Sequence, residues 1–169
     1  MESISLREHD PGWKTEFREE RRYLLEKLYP MVVDIYHVGS SAVPDLKSKP
    51  IIDIAVEATE YPPSQNVIDR LSLLGYHDQG ESGVPGRSWF TKGNPRKFNL
   101  HFCKQGSIIV KNQLIFRDSL LKCERLRREY EVLKSQHAKG KTIDNTEYAL
   151  SKSALIERVI HAANENDNC

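Results

Sequence analysis

The stretch HVGSSAVPDLKSKPIIDI, His37 to Ile54, limits the fold more than any other part of the chain. An alternating, β-rich run from Val32 to Val38 ends at Gly39, and Pro50 opens an almost continuously apolar run, Ile51 to Val56, that reads as a buried central strand. Such a pair demands a sheet, and the sheet must tolerate a carboxylate. Period-two geometry puts Asp53, Ala55 and Glu57 on one face and Ile52, Ile54 and Val56 on the other. Asp53 is therefore free to stand at an open face while its neighbours anchor the strand.

The flanking segments supply helices first and last. Asp10-Pro11 reads as a helix start, and Trp13, Phe17, Leu24, Leu25 and Leu28 follow near helical spacing until Pro30. Pro62-Pro63-Ser64 introduces a helix bearing Val67, Ile68, Leu71 and Leu74, closed by Gly75. Gly80 to Gly86 reads as a hairpin loop or flap between Tyr76 to Asp78 and Arg87 to Thr91. Phe98 to Cys103 alternates as a further strand, with Asn99 and His101 on one face. Ser107 to Leu121 mixes β-rich and helical signals and is assigned to helix. Leu126, Tyr130 and Leu133 mark a charged amphipathic helix ending near Gly140, with the charges of Cys123 to Lys134 read as a solvated face. Tyr148, Leu155, Ile156, Val159 and Ile160 mark a last helix, and the polar tail from Asn164 is expected to fray. The segregation predicts one α+β domain, a small mixed sheet with helices on one face and a helical C-terminal part.

Charge and cysteines narrow the function classes. The 169 residues carry 25 Lys and Arg against 24 Asp and Glu, which gives no net pull towards nucleic acid or an anionic membrane, so any phosphate binding must be local. No apolar run reaches spanning length and Met1 to Arg22 lacks a signal-peptide core. Cys103, Cys123 and Cys169 are scattered without CxxC spacing and read as free thiols, with a cytoplasmic location expected.

Gly39 and Ser40 end a strand where a close turn exposes backbone N–H groups to an anion, Ser41 follows, and Lys47 and Lys49 lie in the connection. A polyanion site beside a carboxylate able to hold a divalent cation suits phosphoryl or nucleotidyl transfer. Asp53 with His37 and His101 is also a chemically sensible one-metal set, because imidazole and carboxylate together suit zinc, manganese or iron. Arg87 beside the glycine loop and Arg117 in FRD are candidate phosphate clamps, as is Lys152 on the last helix. Each has a structural alternative: a turn, a loop cap, a strand histidine, a solvated lysine or a local ion pair.

The long motif resembles the signature of the GrpB (UPF0157) family, a branch of the nucleotidyltransferase superfamily, in which G-S, a proline-bearing turn and K-P-apolar-apolar-D recur. HDPGW, FNLHF, FRDSL and the Lys152 region extend the resemblance over nearly the whole chain. It implies a nucleotidyltransferase-like fold without delivering a reaction; together with the site residues it makes a nucleotide or phosphorylated small molecule the expected ligand and a divalent cation the expected cofactor, Mg2+ or Mn2+, or Zn2+ on the histidine set. Relatives fused to dephospho-coenzyme A kinase point to a nucleotide or coenzyme A context. Asp53 and His101 are then the candidate catalytic residues. Active superfamily members hold metal with D-x-[D/E] and a third acid from a later strand, whereas this chain has Ala55 at the second position and Asn99 or His101 at the third. Glu57 could substitute only through a short or bulged strand, being about 7 Å further along. A binding module without catalysis, a partner-binding accessory protein and a metal-assisted hydrolase stand beside nucleotidyl transfer as readings.

Overall fold

The structure, a computed structural model, describes residues 5–138, 145–166 and 169. Helix α1 (Gly12–Leu28) leads into β1 (Val32–Val38), a 3-10 turn (Ser40–Ala42) and β2 (Ile52–Ala58). Then come α2 (Gln65–Leu73), β3 (Tyr76–Asp78), β4 (Arg87–Lys92) and β5 (Phe98–Lys104), and finally α3 (Ile108–Lys122), α4 (Glu124–Ala138) and α5 (Asn145–Asn164).

Local chemistry accounts for the boundaries. Asp10 Oδ1 accepts from the Gly12 amide at 2.7 Å, so the aspartate caps α1 across the proline. Ser64 and Ser107 cap α2 and α3 through the Val67 and Ile109 amides. The Ser107 cap resolves the ambiguous Ile108-Ile109-Val110 run in favour of helix, because Val110 is then buried on the inward face. The expected stop at Gly140 lies outside the described residues.

The five strands order as β1-β2-β5-β4-β3, with β2 and β5 parallel and every other pair antiparallel. The α+β expectation holds, and the hairpin of β3 and β4 forms around the Gly80 to Gly86 loop. Helices α1 and α2 cover one face, where Leu24, Leu28, Val67 and Leu71 pack on Ile54, Val56, Leu100 and Phe102. The C-terminal helices make a second core, Phe116, Leu120, Tyr130, Leu155 and Val159, closed around Val43 and Leu46 from the connection between β1 and β2. Val110 of α3 joins this part to the other sheet face over Val38, Ala55 and Cys103.

Two expectations are corrected here. Cys123 and Cys169 form a disulfide across 46 residues, so the tail is tied to the junction of α3 and α4, and Cys103 alone is a free, buried thiol. Sequence spacing carries no signal for a tail that folds back. The charged stretch before Lys134 is also not wholly solvated, since Tyr130 and Lys134 are buried one turn apart. Among the described residues no helix is long and apolar enough to cross a membrane.

Candidate functional site

Strand register builds the site. Val38, Asp53 and Asn99 lie side by side across β1, β2 and β5, and Ala55 lies beside His101 one pleat further on. The two residues expected at the third acid position therefore do flank the Asp53 strand. Asn99 Nδ2 donates to Asp53 Oδ1 at 3.2 Å, and His101 Nε2 approaches the same oxygen at 3.4 Å. That approach needs a proton on Nε2, while Nδ1 is buried with no hydrogen-bond partner. The other oxygen rests on Gly39, where an added Cβ would come within 2.6 Å of Oδ2. Gly39 has φ +72° and ψ −172°, a backbone region essentially reserved for glycine. The glycine thus lets the turn pass directly over the carboxylate.

The Asp53 side chain keeps 29% of its surface exposed. Burial pushes its pKa up, but the His101 and Asn99 contacts and the Lys152 charge outweigh that and hold it below the usual carboxylate value. Around it lies a cleft of about 250 Å³, lined among others by Ser40, Lys49, Arg96, Asn99, Tyr130, Lys134, His137 and Lys152. Lys134 is 7% exposed, its Nζ donating to the Lys47 carbonyl at 2.6 Å and lying 4.8 Å over the Tyr130 ring. Burial first, then Lys152 and Lys49, push its pKa down to about 7 against the opposing pull of Glu131 and Asp53. A recess of about 810 Å³, bordered by Trp13, Pro50 and Pro95, adjoins the cleft through Lys49, Ile51 and Arg96.

Several sequence candidates lie elsewhere. His37 pairs with Ile54 and so faces α1, stacked on Phe17 with Nε2 bonded to Ser41 Oγ at 2.9 Å. It does not join Asp53 and His101, and burial holds its pKa down to about 4. Ser41 is buried in that contact rather than lining the cleft. Lys47 turns to Glu8 and Glu131. Arg87 pairs with Cys103 four residues up β5 from Asn99, and donates to the Glu81 carbonyl in the flap. Arg117 is engaged by Asp118 and the His37 carbonyl, the structural alternative for FRD. Glu57 stays four residues beyond Asp53, because β2 runs in regular register and the one irregularity falls between Val32 and Asp34 of β1. Among the described residues no group of three His, Cys, Asp or Glu side chains is placed to hold a metal ion. Ser40, Lys49, Asp53 and Lys152 do line one cleft, and Gly39 and His101 lie against the Asp53 carboxylate. Sequence reasoning missed Arg96, Tyr130, Lys134 and His137; the four-residue step from Tyr130 to Lys134 on the Leu126 face was the available signal.

A family model described as GrpB protein matches residues 3–162. UPF0157 protein YqkA of Bacillus subtilis (strain 168) is 32% identical over 150 residues, 88% of this chain and 44% of that protein, so the chain spans less than half of that relative. UPF0157 protein BH1888 of Halalkalibacterium halodurans is 30% identical over 166 residues, 96% of this chain and 83% of that protein. The solved structure of conserved protein GrpB from Enterococcus faecalis matches with TM-score 0.84 and 28% identity, covering 96% of this chain and 98% of that one. The Cid1 poly(U) polymerase, described with Mg 3'-dATP bound, matches at TM-score 0.53 and 14% identity over 79% of this chain and 43% of its own, a likeness of fold alone. From the matched model, the relatives and the shared architecture, the chain belongs to the GrpB protein family.

Proposed function

We propose that the chain binds a nucleotide or another phosphorylated small molecule, its phosphates in the Ser40 and Asp53 cleft and the rest of the ligand in the adjoining recess. The observation that carries this reading is the convergence of Lys49, Arg96, Lys134 and Lys152 from four separate segments on one cleft at the end of the sheet. Such a cleft focuses positive potential and favours phosphate over neutral ligands. The likeness to a polymerase fold described with a bound nucleotide supports it. The metal-assisted hydrolase reading loses its third ligand with His37 on the opposite face.

A thermal-shift series of the purified chain with each nucleoside triphosphate and with coenzyme A precursors tests the reading. A ligand at about a hundred times its Kd adds roughly 2.7 kcal/mol, a rise on the order of 5 to 10 °C for a chain of this size. A shift with at least one compound, reduced in Lys49→Ala, is the expected result. No shift with any compound would remove the binding reading and favour a partner-binding role.

A further inference from the structure

The metal pair associated with this fold finds no fitting ligand set here. Among the described residues Asp53 is the one carboxylate lining the cleft, and its Oδ1 already receives the Asn99 amide, with His101 Nε2 at 3.4 Å from the same oxygen. Ala55, at the second acid position, is 0% exposed beneath Val110. Lys49, Arg96 and Lys152 line the cleft with Asp53, and a dication placed among these cations would be repelled rather than held.

Building on the phosphate-binding reading, we propose that the cleft binds its phosphate ligand without a divalent cation, the ammonium groups of Lys134 and Lys152 supplying the neutralising charge. The two lysines reach the cleft from different helices, Lys134 from the buried face of α4 and Lys152 from α5. Lys134 is fixed by the Lys47 carbonyl and by Tyr130. Around it stand Lys152 on α5, Lys49 before β2, Asp53 on β2 and Glu131 on its own helix. An entering phosphate favours the protonated form of Lys134, whose proton burial and the neighbouring Lys152 and Lys49 hold loosely, so the cleft gains its full positive charge when loaded.

Titration calorimetry of the full chain with inorganic pyrophosphate and with ATP, in EDTA and again with Mg2+ or Mn2+, separates the possibilities. Binding in EDTA is expected, weakened roughly tenfold or more by Lys152→Met or Lys134→Met and unchanged by Lys104→Met on the exposed end of β5. Asp53→Asn is expected to keep or tighten that binding, because it removes a negative charge that lines the cleft. Binding that needs the metal and disappears in Asp53→Asn would overturn the metal-free inference while leaving the phosphate reading intact. Absence of binding in both conditions would overturn both. Should Lys134→Met fail to fold, Lys152→Met carries the same test.

Discussion

At the scale of single residues, the site is governed by which groups have been taken out of water. Gly39 was legible from sequence, since a turn that tight over a neighbouring strand needs a residue without a Cβ. His37 was misplaced because its face depends on register: Val38 opposes Asp53, so the residue before it must point the other way. Its environment makes a prediction with a definite sign. Burial lowers the folded pKa from 6.5 to about 4, so between these values the unfolded chain binds a proton that the folded one does not. The stability is fully present above pH 6.5 and is lost as the pH falls towards 4. Urea midpoints from pH 7 to pH 4 should show a loss of about 3 kcal/mol from this group. His37→Gln, which cannot titrate, should flatten that part of the profile. An unchanged slope in the variant would show that another group governs acid sensitivity.

At the scale of elements, the order of helices and strands followed from periodicity and punctuation, because caps such as Ser64 and stops such as Pro30 act locally. Lys134 did not, because its burial depends on α4 packing over the connection between β1 and β2, a contact between residues far apart in sequence. The seat of α3 was equally hidden and bears on position 55. Val110 closes the sheet face over Ala55, while Arg117 holds the helix to the His37 carbonyl. Restoring an acid at position 55 therefore means placing a charge in an occupied apolar contact. Ala55→Asp is expected to cost about 3 kcal/mol or more, the usual penalty for an uncompensated buried charge, measured by urea unfolding. It should confer no added stability from Mn2+. Stabilisation of that variant by Mn2+ would show that the second acid position is open to a metal.

At the scale of the whole molecule, the cleft belongs to two layers at once. The sheet end contributes Ser40, Asp53 and Asn99, and the helical layer contributes Lys134 and Lys152, so the cleft is only as firm as the docking of α4 and α5. That docking rests on the core around Val43 and Leu46 and on the Cys123 to Cys169 link, which closes the segment containing both helices. On the chain-entropy account, a bridge spanning 46 residues adds about 4 kcal/mol by restricting the unfolded chain. Unfolded without reductant, the protein should expose one reactive thiol, Cys103, and all three cysteines after reduction. Reduction should also lower Tm, and it should weaken pyrophosphate binding more than it perturbs the sheet, because the lysines lie on the tethered helices while Asp53 does not. Three thiols titrated without reductant would return the chain to the free-cysteine reading and leave the apolar core alone to hold the helical layer over the cleft.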